Sequence, residues 1–182
     1  MVVGACLSRH WSAWQARGVD SWVVEVLREG YSIPFSSRPP LSEVPIGFDS
    51  YAPNSIRGQA LEGELQALVV KGAVEPAPPS PGFYSRMFVV QEASGAWRPI
   101  IDLSTLDPYI QKTKFKMETV QSMLASVRQG GWMISIDLKD SYFQIPVHPA
   151  SRPFLRFVTG SGVFQFKVSA LVWPRLLKYS PG

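Results

Sequence analysis

Residues 134–146 constrain the fold of this chain more than any other segment, because a short apolar run there ends in a carboxylate. The run leads to Asp137, a second carboxylate follows at Asp140, and an aromatic side chain stands at Tyr142. A strand that ends in an aspartate can hold a divalent metal at the edge of a sheet, and a tight turn after it can offer backbone N–H groups to phosphate. The segment therefore predicts half of a nucleotidyl-transfer site.

Helical spacing of apolar residues dominates the first part of the chain. Residues 7–29 carry Trp and Val at helical spacings interrupted by Gly18, which predicts two short helices with packing faces. Residues 58–70 place four apolar side chains on one stripe and are followed by Gly72, which predicts a helix with a glycine at its C-terminal cap. The Pro- and Ser-rich stretch 31–56 has no period and predicts an extended connector.

Alternation replaces helical spacing further along the chain. Residues 86–91 and 97–102 flank the turn at 93–96, and this pattern predicts a β-hairpin. Residues 154–158 and 163–168 flank a Gly-rich turn and predict a second hairpin.

Three further segments complete the outline. Four prolines in residues 73–82 predict a rigid loop, residues 118–128 predict a helix, and residues 132–138 predict a buried strand. The expected fold class is therefore α+β, an incomplete antiparallel sheet with helices, whose central strand ends in a carboxylate.

Composition and charge exclude several classes of protein. The single cysteine, Cys6, leaves no disulfide partner within the chain and indicates a reducing compartment, the cytoplasm or the nucleus. No apolar run approaches the ~20 residues of a membrane span, so no membrane partner is expected. The net charge of +4 permits a polyanionic partner without demanding one. Lys112, Lys114 and Lys116 would lie on one side of an extended segment, which is usually a solvated face.

Several motifs occur in the order found in one family. The segment 135–146 resembles the first catalytic motif of retroelement reverse transcriptases, and the segments 82–90 and 97–103 resemble the fingers hairpin of the same family. The segments 115–119 and 148–157 are most similar to the DIRS-like tyrosine-recombinase retrotransposons, within the wider group that includes LTR-type pol proteins. An ordered set of motifs indicates a family far more strongly than any single motif.

The resemblance implies a division of the chain into three parts. Residues 57–170 correspond to reverse transcriptase fingers and a partial palm, and residues 1–56 to an amino-terminal helical segment and connector. Residues 171–182 stand where the family has a Pro-Phe-Gly-Leu type segment. A one-base shift of a coding sequence that fits these residues restores that motif, so we interpret them as an out-of-frame tail.

The resemblance also implies a metal site. Asp137 is the expected catalytic aspartate, and together with the backbone carbonyl of Leu138 it is the expected ligand of Mg²⁺. The implied activity is RNA-directed DNA synthesis on an RNA or DNA template-primer with deoxynucleotides. Without the family, a lone Asp137 would more often be a strand-end cap than a metal ligand.

Four further residues match positions that contact the nucleotide in the family. Asp140 and Ser141 are expected to present backbone N–H groups to the incoming triphosphate, and Tyr142 to reject a ribose 2′-hydroxyl by steric contact. Arg98 is expected over the phosphates, where a planar guanidinium can hold two oxygens. The competing interpretations are that Tyr142 and its neighbour Phe143 belong to the core, and that Arg98 pairs with Asp102 across the hairpin.

This sequence departs from the family pattern in three respects. Glu92 stands in the hairpin turn where related elements usually place lysines, and no Asp or Glu follows Asp140. The family's Tyr-x-Asp-Asp turn and thumb are missing, and one carboxylate cannot hold two Mg²⁺ ions against water. We therefore expect a reverse transcriptase by descent that is inactive as this chain. Two alternatives stay open: a nucleic-acid-binding module without catalysis, and the short product of a frameshifted enzyme gene.

Overall fold

The computed structural model divides the chain into two compact units, Met1–Gln111 with Asp140–Leu171, and Lys112–Lys139 with Val172–Gly182. The residues that the structure describes are 4–48, 51–111, 120–121, 124, 127–128, 130–132, 134 and 140–169. All helices and strands named below belong to the first unit. The Lys112, Lys114 and Lys116 row and the tail at 171–182 lie outside the described residues, and the three-part division of the chain stays a prediction.

The amino-terminal region contains two short α-helices after a 3₁₀ turn at Cys6–His10. Helix α1 spans Trp11–Ala16 and α2 spans Ser21–Glu29. Gly18 separates them with φ of 72°, a left-handed conformation that glycine adopts without the steric cost of a Cβ. The prediction of two short helices broken at this glycine is confirmed.

Helix α3 spans Ile56–Lys71 and is the longest helix described. Its start is capped by Ser55, whose hydroxyl accepts a hydrogen bond from the backbone N–H of Gly58 at 3.0 Å. It ends at Gly72, which has φ of 72° and donates its N–H to carbonyls of the last turn. The predicted helix and cap are confirmed. The apolar stripe that packs inward is formed by Leu61, Leu65 and Leu68.

In the described part of the chain, five strands form two antiparallel sheets. They are β1 (Val74–Pro76), β2 (Arg86–Gln91), β3 (Trp97–Asp102), β4 (Arg156–Thr159) and β5 (Gly162–Phe166). Strands β2 and β3 form a two-stranded sheet, and the other three form a sheet in the order β1-β5-β4. Both predicted hairpins are confirmed, although residues 154 and 155 precede the second one. The mixture of helices and antiparallel strands confirms the α+β class.

The prediction of a rigid loop over residues 73–82 is wrong at its start, where β1 pairs with β5. Val74 lies opposite Phe166, and Pro76 lies opposite Phe164. A proline has no N–H to give to a sheet, but Pro76 is the last residue of an edge strand, where this loss is tolerated. The high proline content therefore concealed a short strand.

The centre of the three-stranded sheet is a cluster of aromatic side chains. Phe157 is fully buried, and its ring stacks on Phe164 with 6.0 Å between centroids and an interplanar angle of 22°. Phe166 lies on the same ring at 5.5 Å in a tilted arrangement. Such pairs add to the free energy gained from burial alone.

Arg156, the neighbour of Phe157 in β4, is also fully buried. Its Nε donates to Oε1 of Gln165 at 3.2 Å, and its Nη2 donates to the hydroxyl of Ser80 at 2.9 Å. Its Nη1 bonds the Ser80 carbonyl oxygen. A Cβ at Gly82 would lie 2.4 Å from Cδ of Arg156, so any larger residue there would displace the Arg156 side chain. The guanidinium thus anchors the proline-rich loop to the sheet.

The predicted buried strand over 132–138 is wrong for its two described members. Trp132 is 102% exposed and Ile134 is 86% exposed, and neither lies in a strand. Within the predicted helix at 118–128, the described positions 120, 121 and 124 are helical. No helix in the described part of the chain is long and apolar enough to cross a bilayer.

Candidate functional site

The β2–β3 hairpin presents one face to the protein and the other to solvent. Its register places Phe88 opposite Ile100 and Val90 opposite Arg98. Because side chains alternate along a strand, Met87, Val89 and Ile101 share one face, and all three are buried. Helix α3 packs against both strands. The opposite surface, called here the hairpin face, is formed by Arg86, Phe88, Val90, Arg98, Ile100 and Asp102, each of which is exposed or half-buried.

The charged side chains Arg86 and Asp102 of the hairpin face each have a defined partner. The guanidinium carbon of Arg86 lies 5.9 Å from the centre of the Phe88 ring, a cation–π distance. Hydrogen bonds from Ser104, and to a smaller extent the charge of Arg86, hold the pKa of Asp102 below its ordinary value. The backbone N–H of Ser104 donates to Asp102 Oδ1 at 3.0 Å. The Asp102 carboxylate is therefore held by a hydrogen bond just beyond the end of β3.

Arg98 is the second exposed arginine of this face. The proposed pairing of Arg98 with Asp102 is wrong, because Asp102 lies opposite Arg86 and bonds Ser104 instead. Within the described residues the Arg98 side chain makes no hydrogen bond or ion pair. Its guanidinium therefore has its full set of donors available to a ligand.

An open groove of about 590 Å³ runs beside the hairpin. Arg57 and Tyr51 lie on one side of it, with the guanidinium carbon of Arg57 6.0 Å from the centre of the Tyr51 ring. Arg86, Phe88 and Trp97 lie on the hairpin side. Arginines interleaved with aromatic rings can contact phosphates and stack on bases, as single-stranded nucleic acids require.

The second part of the candidate site is the turn at Asp140. Asp140 has φ of 54°, a left-handed conformation that aspartate tolerates better than most residues, and it opens the 3₁₀ helix Ser141–Gln144. The first N–H groups of a helix have no partner within it, and the Asp140 carboxylate does not cap them. Tyr142 is 41% exposed while Phe143 is buried, so the core interpretation holds for Phe143 only.

The Asp140 carboxylate is engaged by Lys71, the last residue of α3. The Lys71 ammonium lies 3.1 Å from Asp140 Oδ1 and 5.7 Å from the centre of the Phe143 ring. Both partners are partly exposed, so this pair contributes modestly to stability. The pair joins the end of α3 to the turn that carries Ser141 and Tyr142.

The amino-terminal segment ties the same two elements together. The backbone N–H of Gly4 donates to the Lys71 carbonyl at 2.8 Å, and that of Ala5 donates to the Phe143 carbonyl at 2.8 Å. A Cβ at Gly4 would lie 2.2 Å from the carbonyl oxygen of Gly72, so the close approach requires glycine. We call this contact the amino-terminal tether.

The structure brings Asp140, Ser141 and Tyr142 together in one turn and places Arg98 on the hairpin face. Asp137 and Leu138 lie outside the described residues. In the described ranges no three His, Cys, Asp or Glu side chains cluster in a way that could hold a metal ion. The Asp140 carboxylate is already engaged by Lys71. The described residues do not by themselves form a magnesium site.

Three residues of the site were missed in the sequence. Arg86 and Phe88 alternate with buried residues in β2, and the hairpin register assigns them to the same face as Arg98. That signal was present in the sequence, because the hairpin boundaries were predicted correctly. Lys71 gave no comparable signal, since its partner Asp140 is 69 residues away.

Comparison with known proteins shows which of them this chain resembles. No protein-family model matches it. It is 31% identical over 112 residues to the Gag-Pro-Pol polyprotein of squirrel monkey retrovirus, a match that covers 60% of this chain and 6% of the polyprotein. It is 29% identical over 146 residues to the Gag-Pro-Pol polyprotein of simian retrovirus SRV-1, covering 77% of this chain and 8% of the polyprotein. The chain is related to retroviral pol polyproteins.

Solved structures agree with this pol relation at the level of the fold. The native protease-reverse transcriptase of prototype foamy virus matches with a TM-score of 0.54 and 14% identity, over 77% of this chain and 18% of that chain. A foamy viral protease-reverse transcriptase in complex with double-stranded DNA matches with a TM-score of 0.50 and 12% identity, over 77% of this chain and 23% of that chain. This chain therefore shares its fold with part of the foamy viral protease-reverse transcriptase, and it spans less than a tenth of the two viral polyproteins.

Proposed function

We propose that this pol relative is the fingers and partial palm of a retroelement reverse transcriptase, of the DIRS-like or LTR type, and that its own activity is nucleic-acid binding. The observation that carries the proposal is the hairpin face, where Arg98 is unengaged by described residues and Arg86 lies over Phe88. Phosphates would bind the guanidinium groups, and a base would stack on the ring. That a foamy viral relative was solved with double-stranded DNA supports the same class of partner.

The parent activity in this proposal is RNA-directed DNA synthesis with Mg²⁺ and deoxynucleotides on a template-primer. Asp137 and the carbonyl of Leu138 would hold the metal, which would supply charge stabilisation to the transferred phosphate. The turn residues Asp140 and Ser141 would offer backbone N–H groups to the triphosphate. The 41% exposure of Tyr142 supports its proposed role at the sugar, because the ring is reachable from outside.

We propose that the chain does not polymerise nucleotides by itself. A two-metal site needs several carboxylates, and the sequence has no Asp or Glu after Asp140. The carboxylate of Asp140 also bonds Lys71, which reduces its availability to a cation. Glu92 is exposed beside the hairpin turn, where it would repel a triphosphate. These features also favour the alternative of a binding module without catalysis.

The proposal is tested by the anisotropy of a labelled single-stranded RNA titrated with the protein at several salt concentrations. Binding should be saturable, and the logarithm of the association constant should fall linearly with the logarithm of the salt concentration. Because each lost phosphate contact lowers the salt slope by about 1, we expect that change for Arg98→Ala and for Arg86→Ala.

The matched control is Arg38→Ala, which removes an exposed arginine outside the hairpin face. It should leave both the affinity and the salt slope unchanged. Equal weakening by all three substitutions would show diffuse charge attraction and would contradict a defined hairpin site. Primer extension by this chain with Mg²⁺ and deoxynucleotides would overturn the proposal that it is inactive.

A further inference from the structure

A separate pocket of about 320 Å³ lies beside α2, and its residues are not used by the proposed nucleic-acid site. Trp22, Glu25 and Glu29 line it from successive turns of the helix. Their spacing of three and four residues places them on one face. Trp22 is 61% exposed, which is unusual for the largest apolar side chain. An exposed tryptophan beside a cavity indicates a surface that a ligand can cover.

The floor of this pocket is held by backbone contacts. The N–H of Tyr31 donates to the Pro146 carbonyl at 2.7 Å, and the N–H of His148 donates to the Tyr31 carbonyl at 3.0 Å. A Cβ at Gly30 would lie 2.5 Å from the His148 nitrogen, so this crossing requires glycine. Because the floor is fixed, the pocket is formed before any ligand arrives, which lowers the entropic cost of binding.

The lining of the pocket carries two carboxylates. Glu25 and Glu29 contribute them, Tyr31 and His148 contribute further polar groups, and no lysine or arginine is among the described lining residues. Arg28 engages one oxygen of Glu29 at 2.7 Å, but an ionised carboxylate has further acceptor sites. The faces of aromatic rings are also electronegative. This environment attracts cations and repels phosphate, in contrast to the hairpin face.

We propose that this pocket binds an arginine side chain from a basic segment of a partner protein. A planar guanidinium can stack on the Trp22 ring and donate hydrogen bonds to Glu25 or Glu29 at the same time. The volume is at the lower end of ligand pockets in proteins, which fits one side-chain head group. The proposal does not depend on nucleic-acid binding, because the two sites share no residue.

The test follows the indole N–H resonance of Trp22 in the ¹⁵N-labelled full chain during titration with N-acetyl-arginine amide. Trp22→Phe assigns the resonance by its loss. The resonance should shift saturably with the arginine derivative and more weakly with the lysine derivative. N-acetyl-citrulline amide, which keeps the shape without the charge, should cause no shift.

The decisive variant is Glu25→Gln, which removes one charge and keeps the shape of the side chain. Its affinity for the arginine derivative should fall up to about fivefold, the range of a surface ion pair. The matched control is Glu43→Gln, an exposed glutamate outside the pocket, and its affinity should stay unchanged. Unaltered dispersion of the remaining resonances confirms that both variants are folded.

Four results would overturn the proposal. A Trp22 resonance that stays fixed shows that no cation binds there. An equal shift with the citrulline derivative shows apolar contact without charge recognition. Equal weakening by Glu43→Gln shows long-range attraction instead of a site. A Trp22 shift produced by Mg²⁺ or by single-stranded RNA in place of the arginine derivative assigns the pocket to a different class of ligand.

Discussion

The two β-hairpins of this chain carry their arginines in opposite ways. In the β2–β3 hairpin, Arg98 lies opposite Val90 and points to solvent. In the β4–β5 hairpin, Arg156 lies opposite Gln165 and is fully buried. The difference comes from the segment that covers each arginine: Arg156 bonds Ser80 and packs against Gly82 in the loop after β1, whereas the Arg98 side chain has no such partner among the described residues.

The comparison separates stability from ligand contact. The three-stranded sheet contains buried aromatic rings and a buried, hydrogen-bonded guanidinium. Substitution of these side chains should change the free energy of unfolding. The two-stranded hairpin packs only one face, and its other face is available to bind. The residue type alone therefore does not reveal the role of an arginine until its register and the segments that cover it are known.

The largest expected effect tests the stabilising half of this comparison. Phe157→Ala removes a fully buried ring between Phe164 and Phe166 and should lower the free energy of unfolding by about 4 kcal/mol. Guanidinium denaturation measures the change. Phe157→Leu keeps most of the apolar volume and should cost clearly less. A loss below ~1 kcal/mol for the alanine variant would mean that this sheet is not the stabilising core.

The next effect tests the binding half. Phe88→Leu keeps apolar bulk on the hairpin face but removes the ring on which a base can stack, and stacking contributes about 1–3 kcal/mol per base. RNA affinity should fall at least about fivefold, since ~1 kcal/mol is that factor, while stability changes little. Anisotropy and denaturation on the same sample separate the two quantities. A fall in stability without a fall in affinity would reverse the assignment of the two hairpins.

A smaller effect on stability is expected at the turn of the candidate site that begins at Asp140. Lys71→Met and Asp140→Asn should each cost up to ~1 kcal/mol, with a coupling energy of about 0.5 kcal/mol in the double variant. Asp140→Ala should cost more than Asp140→Asn, because alanine disfavours the left-handed conformation of this residue. Thermal and chemical denaturation measure these terms. Strict additivity of the Lys71 and Asp140 variants would show that the pair contributes nothing.

The smallest effect concerns pH and belongs to the two-stranded hairpin. Because the pKa of Asp102 is lowered in the folded protein, its stabilisation is fully present above the ordinary aspartate pKa. This stabilisation is lost as the pH falls through the lowered pKa. Lowering the pH should therefore reduce the free energy of unfolding more in the native protein than in the Asp102→Asn variant. Urea denaturation between about pH 5 and pH 2 checks this. Parallel pH profiles for the two proteins would exclude a role for Asp102.

Local patterns gave the helices and hairpins correctly because apolar period and turn residues are local properties. Helix α3 with its cap at Gly72, and the strand bounds of β2 and β3, follow from such patterns. Strand β1 was missed since its prolines suggested a loop, and its pairing partner lies far along the chain in β5.

Only the part of the site that lies in local motifs was predicted from the sequence. Arg98, Asp140, Ser141 and Tyr142 were found through their motif, and their roles as substrate contacts stay predictions. Contacts between distant segments were not accessible from the sequence: Lys71 meets Asp140 across 69 residues, and Arg156 meets Ser80 across 76. Such pairs depend on the completed fold, which no local period encodes.

The amino-terminal tether has a practical consequence for spectroscopy. Ala5 bonds the carbonyl of Phe143, and the next residue, Cys6, carries the single thiol of the sequence. A thiol-directed fluorophore on this chain therefore labels one defined place, one residue away from a contact with the 3₁₀ helix that follows Asp140. A change in its fluorescence emission would report that a ligand or a substitution has disturbed that turn.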